Sequence, residues 1–263
     1  MTTARIIAEA YRWQRRLGLD PVEAPGCHIV ADPVHPNVWD ANHADEVTAQ
    51  TRAEIDAVFA AMDRHLGHTT WRVVHTDGFT SEAFLARLLL DGFEERPVTI
   101  QMALDGEITD RGADVELRPV IDEADWQTLL QLVLLDHAEG HRTSGLEVSP
   151  EVSAGLVAGY RAKSHANHFH LVMQNGAPVA YGAYAAAPNG AGMIEDLFTL
   201  PSARRQGLAT GLIAAFADRL RVAGCHTIFL GALASEQPKH LYARLGFRPV
   251  SLARSWVRDL GRA

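Results

Sequence analysis

This sequence is poor in cysteine, in long apolar segments and in positive charge. Two cysteines in 263 residues, Cys27 and Cys225, are too few for a disulfide framework or a cysteine-built zinc site, and no metal site is expected. No apolar run approaches the ~20 residues that cross a bilayer, so no membrane-spanning segment is expected. The formal net charge of −8 argues against nucleic acid and anionic membranes as partners, because both attract an excess of lysine and arginine.

The N-terminal stretch MTTARIIAEAYRWQRR has neither the apolar core nor the small-residue cleavage site of a signal peptide. Together with the low cysteine content, this leads us to expect a cytoplasmic protein. Hydrophobic residues make up 47% of the chain and charged residues 21%, which is ordinary for a soluble globular protein. The length suits one large domain or two small ones.

Hydrophobic periodicity divides the chain into helices and strands. In the segment 51–66, Ile55, Phe59 and Met62 recur at the spacing of a helix with one buried face. Asn175-Gly176, between two short apolar runs, predicts a hairpin turn. The predicted helices are 3–17, 51–66, 80–90, 122–137, 150–164, 205–222 and 237–244, and the predicted strands are 27–30, 71–75, 98–104, 115–119, 169–173, 179–184, 193–200, 226–230 and 249–258.

A polar segment with two glycines, DGEITDRGAD at 105–114, is the best candidate for a linker. The segments 71–104 and 226–257 both run strand, short helix, Gly-Phe, strand, which indicates an internal duplication. We therefore expect an α/β (α+β) fold in which helices flank a mixed central sheet. Its two related halves would be domains 1–110 and 111–263.

The most informative stretch is MIEDLFTLPSARRQGLATGLIAAFADRL, residues 193–220. A strand ends near Pro201, and the loop SARRQGLAT leads into a helix. A helix start presents backbone N–H groups without internal partners and the positive end of the helix dipole, so it suits phosphate oxygens. Gly207 and Ala209 leave the backbone accessible, and Arg204 and Arg205 add positive charge. The pattern predicts a site for phosphate or pyrophosphate.

Two other phosphate-binding motifs do not fit this stretch. A P-loop requires Gly-Lys-Ser/Thr, which is absent. A dinucleotide-binding fingerprint requires three glycines and an acid about 20 residues later, but the next strand, HTIFLGA, has no acid.

The arrangement L-x-T-x-P-x-x-R-x-x-G-x-A, followed by LYARLGF at 241–247, closely resembles the GNAT superfamily of acyl-CoA-dependent N-acetyltransferases. The resemblance covers roughly 114–258 and implies the GNAT fold in a tandem GNAT-like architecture, with acetyl-CoA as co-substrate. The residues that it assigns to coenzyme binding are Leu197, Phe198 and Thr199 for the pantetheine arm and thioester, Arg204, Arg205, Gln206, Gly207, Leu208, Ala209 and Thr210 for the pyrophosphate, and Ser235 for a further hydrogen bond.

The same resemblance assigns the catalytic groups. Tyr242 matches the tyrosine that protonates the departing thiolate, and the alternative is a core aromatic on a short helix. Glu195 and Asp196 lie on the strand beside the thioester, where an acid often accepts the proton of the amine; the alternative is a structural ion pair. Alternation along a strand would place the two acids on opposite faces. Leu230 stands where some members carry a catalytic acid, and Ser235 where many have Asn.

The N-terminal half has no R-x-x-G-x-A loop, and its counterpart of Tyr242 is Leu88. It is therefore expected to be a degenerate copy that shapes the acceptor site. Glu139 and Glu147, after the first helix of the second half, are candidates for attracting a cationic amine. The leading expectation is acetyl transfer to a primary amine of a small molecule or peptide by a monomer or homodimer. The alternative is a non-catalytic acyl-CoA-binding regulatory module.

Overall fold

The computed structural model describes residues 1–144 and 148–261. Within them the helices are α1 (Thr3–Arg16), α2 (Arg52–His65), α3 (Glu82–Leu90), α4 (Glu123–Ser144), α5 (Pro150–Ala162), α6 (Leu208–Val222) and α7 (Pro238–Arg244). The strands are β1 (Val22–Ala24), β2 (Cys27–Val30), β3 (His43–Asp45), β4 (Trp71–Thr76), β5 (Glu94–Glu95), β6 (Thr99–Leu104), β7 (Glu116–Pro119), β8 (Asn167–Gln174), β9 (Ala177–Ala186), β10 (Ala191–Thr199), β11 (Thr227–Leu233) and β12 (Phe247–Asp259).

Most predicted elements are confirmed within a few residues, because their periodicity and end signals agree. Helix α2 begins with a capping box between Thr51 and Glu54. Asn175 and Gly176 both have positive φ, as the tight turn between β8 and β9 requires. The predicted end of α4 at residue 137 is wrong, because the helix continues to Ser144. The short strands β1, β3 and β5 were not predicted.

The sheet joins both halves of the chain in the order β1-β2-β3-β4-β12-β6-β11-β10-β9-β8-β7. At its centre, strands of the two halves alternate. Strand β12 pairs antiparallel with β4 and with β6, and β6 pairs antiparallel with β11. The two repeated segments, β4-α3-β6 and β11-α7-β12, thus have the same element order, and each places its second strand beside the first strand of the other.

The hydrophobic cores follow this exchange of strands. Trp256 of β12 is buried among α2 and α3 residues such as Val58 and Phe84, in the N-terminal half. Met102 of β6 packs with Phe216 of α6 in the C-terminal half. Each half therefore completes its core with a strand from the other.

Helices cover both faces of the C-terminal part of the sheet. Helices α4 and α5 pack on one face, and α6 and α7 pack on the other. Helix α1, although it begins the chain, packs beside α5 on β10 and β11, where Ile7 and Ala10 contact Met193 and Phe229. The first helix of the N-terminal half thus borders the site that the C-terminal half carries. No helix among the described residues is long and apolar enough to span a membrane.

Candidate active site

Strands β10 and β11 separate at the centre of the sheet. They pair in parallel from Ala191↔Thr227 to Ile194↔Leu230. Beyond Ile194, β10 still pairs with β9 on one side, whereas no strand pairs with its other edge in the described part of the chain. The gap leaves the backbone of the segment 195–199 accessible from the β11 side.

Glu195 and Asp196 both line the cavity at this gap, so the prediction that they point to opposite faces is wrong. The ladder between β9 and β10 shifts register between Glu195 and Phe198, and Asp196 has φ of 53°. A bulge inserts an extra residue and breaks the side-chain alternation. The sequence gives no such signal, because a positive φ is uncommon for aspartate.

The environment of these two acids favours their protonated forms. Burial, followed by the charge of Asp196, raises the pKa of Glu195 well above its usual value. Burial also raises the pKa of Asp196, against the effect of the Tyr160 hydroxyl, which donates a hydrogen bond to Asp196 Oδ1 at 2.9 Å. The Glu195 carboxyl makes no hydrogen bond within the described part of the chain, so it remains available to a ligand.

The cavity beside these acids has a volume of about 230 Å³ and is lined by both halves of the chain. Tyr11, Gln14 and Arg15 of α1 form one wall, and Tyr160 and Lys163 of α5 and its C-terminal cap form another. Only Glu195 and Asp196 of this polar lining were identified from the sequence. The α1 residues were missed because the sequence of α1 is that of an ordinary amphipathic helix.

Another half-buried carboxyl, also missed from the sequence, lies nearby. The Tyr181 hydroxyl donates a hydrogen bond to Asp136 Oδ2 at 2.8 Å. Burial raises the pKa of Asp136 to about 6, with smaller contributions from the charges of Asp196 and Glu139. Asp136 belongs to α4, where a lone aspartate in an apolar helical pattern gives no signal of its burial.

The loop before α6 has the geometry that an anion requires. Gly207 precedes the helix with φ of 80°, and Arg205 has φ of 63°. The backbone N–H groups of 205–210 donate to no acceptor within the described residues. Arg205 and Gln206 are exposed, Gly207 and Ala209 are half-buried, and Leu208 and Thr210 are buried. The loop therefore offers a set of free amides at the positive end of a helix dipole.

The linker packs directly against this loop, with Gly112 and Ala113 next to Gly207 and Gly211. The Ala113 N–H donates to the Gly207 carbonyl oxygen at 3.2 Å, and a Cβ on Gly211 would lie 2.2 Å from the Ala113 carbonyl oxygen. Only glycine at position 211 allows this approach. The segment thus supports the first turn of α6 from the side.

Arg204 is held by protein groups. Its guanidinium makes two hydrogen bonds of 2.7 Å to Glu139, and its Nε donates to the Thr199 carbonyl oxygen at 2.9 Å. Arg204 therefore ties the loop to α4 and to the end of β10, and its charge is balanced by Glu139. Glu139 is accordingly engaged with this arginine, and Glu147 lies outside the described residues.

The remaining predicted coenzyme residues have distinct environments. The Leu197 and Leu208 side chains pack on the core under α6, and the Phe198 ring packs against Tyr181. Thr210 is buried in the first turn of α6. Ala209 is partly exposed there, and Ser235 is exposed in the turn before α7.

Tyr242 lies on α7, next to β11, and is 7% exposed. Burial, with a smaller effect of Glu236, raises the pKa of its hydroxyl to about 12, so the phenol is protonated at neutral pH. The hydroxyl makes no hydrogen bond in the described chain. By contrast Leu230 and Leu88 are fully buried in apolar cores, and neither position offers a titratable group.

Comparisons with known proteins agree with this architecture. Residues 126–247 match the sequence model of the acetyltransferase (GNAT) family. A solved GCN5-related N-acetyltransferase from Kribbella flavida is 20% identical and superposes with a TM-score of 0.70, covering 98% of this chain and 96% of that chain. A tandem GNAT protein from the clavulanic acid biosynthesis pathway is 14% identical, with a TM-score of 0.60, covering 84% and 76%.

A conserved protein of unknown function from Staphylococcus epidermidis ATCC 12228 is 14% identical, with a TM-score of 0.68, covering 92% of this chain and 94% of its own. A search of curated proteins gives no significant match. At these identities the solved structures establish the fold. The predicted fold, a mixed sheet flanked by helices with similarity to a tandem GNAT protein, is confirmed.

Proposed function

Because this chain belongs to the GNAT superfamily, we propose that it transfers an acetyl group from acetyl-CoA to the primary amine of a small molecule or peptide. The observation that carries the proposal is the run of unpartnered backbone N–H groups at 205–210, which opens next to the gap between β10 and β11. A diphosphate needs several donors and positive potential, and this loop supplies both.

The free amides of 205–210 would bind the diphosphate of the coenzyme, with the exposed guanidinium of Arg205 adding charge. Arg204 would act by positioning the loop through Glu139 and Thr199. From there the gap leads along the accessible edge of β10, where the backbone of Leu197 to Thr199 would pair with the amide groups of the pantetheine arm. This route would bring the thioester to the two acids and to Tyr242.

The chemistry requires removal of one proton and delivery of another. We assign the base to Glu195, since Asp196 is already bound by Tyr160 and Glu195 has no protein partner in the described chain. The amine nitrogen attacks the thioester carbonyl carbon, and its proton passes to Glu195, directly or through a water. The C–S bond breaks, and the Tyr242 hydroxyl gives its proton to the thiolate. Backbone N–H groups of 197–199 would stabilise the negative carbonyl oxygen.

The two halves would divide this work. Domain 111–263 would carry the coenzyme loop and the catalytic groups, whereas domain 1–110 lacks both, since apolar Leu88 replaces the tyrosine. The N-terminal half would instead supply α1 to the acceptor cavity and β6 to the shared sheet. The boundary would thus separate two functions, although strands of the two halves pair across it.

A thiol-release assay with acetyl-CoA and a panel of amines tests the proposal. We expect turnover by the wild-type protein, together with acetylated amine detected by mass spectrometry. Calorimetry would separate coenzyme binding from transfer. Binding of CoA without acetylation of any amine would instead support the non-catalytic acyl-CoA-binding module, and absence of both would contradict the proposed site.

A further inference from the structure

The acceptor cavity contains more polar groups than proton transfer needs. Besides Glu195 and Asp196 it is lined by two cationic side chains, Lys163 and Arg15, and by Gln14. Lys163 and Arg15 both act electrostatically on Glu195, yet neither forms a hydrogen bond with it in the described chain, so their N–H donors are left for a bound group. These groups therefore call for a ligand with a complementary charge.

Lys163 is the strongest evidence. It is 9% exposed, and its ammonium group forms no hydrogen bond or ion pair in the described chain. Its Nζ lies 5.8 Å from the centre of the Tyr160 ring, which is a weak cation–π contact. A lysine is almost never buried unless it is paired, so this one is suited to pair with a bound anion.

Two neighbouring side chains of α1 face the same space. Gln14 is 4% exposed, and its side-chain amide has no hydrogen-bond partner in the described chain. Arg15 contacts Asp40 only loosely, with Nε and Oδ1 separated by 3.7 Å, and no hydrogen bond engages its terminal nitrogens among the described residues. Both groups can donate hydrogen bonds, as an anionic oxygen requires.

Charge balance indicates what kind of ligand completes the cavity. Arg15 and Asp40 offset each other, which leaves Lys163 beside the acidic pair Glu195 and Asp196. A ligand with an amine at one end and an anion at the other would match both sides. The volume of about 230 Å³ is below the ~300–1,000 Å³ of pockets for drug-sized ligands, so the acceptor is small.

We propose that the acceptor is a small amino carboxylate whose amine lies at Glu195 and whose carboxylate is bound by Lys163, Arg15 and Gln14. This inference rests on the proposed acetyl transfer and adds the substrate class. It also gives the N-terminal half a role in recognition, because α1 contributes two of the three anion-binding side chains.

Matched pairs of amines test the substrate class. The pairs are 4-aminobutyrate with butylamine, L-ornithine with putrescine and L-lysine with cadaverine, and O-phosphoethanolamine with ethanolamine serves as the phosphate arm. We expect kcat/KM to favour each amino carboxylate over its partner about tenfold or more, since a hydrogen bond to a charged group contributes ~1.5–3 kcal/mol. A preference confined to the phosphate pair would assign the anion site to phosphate and overturn the carboxylate.

Three variants test the site. Lys163→Met removes the charge while keeping most of the side-chain length, and it should reduce the preference for amino carboxylates about tenfold. Lys163→Arg restores a cation and should recover much of that preference. Arg52→Met removes an exposed cation from α2, which contributes no residue to the lining of the cavity, and should leave the preference unchanged.

The outcomes separate this inference from the proposed function. If all amines are acetylated with equal efficiency, or if Lys163→Met lowers both members of each pair by the same factor, the inference is wrong while acetyl transfer stands. If no amine is acetylated, the binding of 4-aminobutyrate to the wild-type protein and to Lys163→Met is measured by calorimetry. Binding to the wild type that the variant loses supports the anion site, and absence of binding to the wild type overturns it. Should Lys163→Met not fold, competitive inhibition of the wild type by butyrate replaces it, and no inhibition would count against the site.

Discussion

Glu195 and Asp196 are adjacent acids that share one cavity, and their mutual repulsion in a buried site keeps their combined charge low. Burial is the main cause that raises the pKa of each, and Lys163 acts in the opposite direction on both. The hydrogen bond from Tyr160 distinguishes them, because it favours the ionised form of Asp196. Glu195 is therefore the acid with the higher pKa and the better match to a general base near neutral pH.

The first prediction concerns the pH dependence of transfer. A base works only when it is deprotonated, so kcat/KM should rise with pH through the raised pKa of Glu195, well above 4.5. Glu195→Gln should lower kcat about 10²-fold and remove this acidic limb. Asp196→Asn, the adjacent control, should keep the limb; if Asp196→Asn removes it and Glu195→Gln does not, the assignment of the base is reversed.

The second prediction concerns stability. A carboxyl whose folded pKa is raised binds its proton more tightly in the folded state, so this group destabilises the fold as pH rises from about 4.5 to the folded pKa. Glu195→Gln should therefore raise Tm at pH 9 and change it little at pH 4, by roughly 2–4 °C for each kcal/mol regained. Calorimetric melting at the two pH values measures this difference, and an equal shift at both would contradict it.

The third prediction concerns Tyr242. Because its pKa is raised to about 12, the hydroxyl keeps its proton until the thiolate forms. Tyr242→Phe removes only the oxygen and should lower kcat about 10²-fold or more, with CoA affinity unchanged. Stopped-flow and calorimetric titration measure the two quantities. Full activity in the variant would refute the proton donor assignment.

The start of α6 shows how an element makes a binding site from its backbone. The glycine-containing loop could be predicted from SARRQGLAT, because its residue types demand a helix start with free amides. The bulge in β10 could not, since register and a positive φ at Asp196 depend on pairing with β9 and on the bond to Tyr160. The engagement of Arg204 by Glu139 likewise depends on where α4 ends.

The fourth prediction concerns this element. Ala209→Asp places a negative charge in the first turn of α6. There it interacts favourably with the positive end of the helix dipole but repels a diphosphate. We expect the Kd for CoA to rise about tenfold or more while Tm stays the same or increases slightly. Val222→Asp puts the same charge at the exposed opposite end of the helix and should leave Kd unchanged. Equal Kd values for Ala209→Asp and the wild type would exclude the loop as the diphosphate site.

At the scale of the whole molecule, the two halves depend on each other. The repeated segments could be recognised from Gly92-Phe93 and Gly246-Phe247. The exchange of strands between the halves could not be predicted, because the apolar pattern of each strand is compatible with pairing to a strand of either half. The packing of α1 on strands β10 and β11 of the other half could not be predicted either, since an amphipathic helix can pack its apolar face on either part of the sheet. The relative placement of the two halves is set by the pairing of their strands in one sheet.

The fifth prediction follows from this exchange. The separate chain 111–263 would lack β6, so β11 and β12 would present unpaired edges, and we expect it to be insoluble or unfolded. Co-expression with 1–110 should restore a soluble complex with acetyltransferase activity. Circular dichroism and gel filtration measure both, and a stable, active 111–263 on its own would show that the halves are independent.

The structure of the protein with CoA tests the central claim most directly. We predict that the diphosphate lies within hydrogen-bonding distance of the backbone N–H groups of 205–210, with the pantetheine arm in the gap between β10 and β11 and the sulfur beside the Tyr242 hydroxyl. A coenzyme bound elsewhere, with those amides left free, would contradict the account.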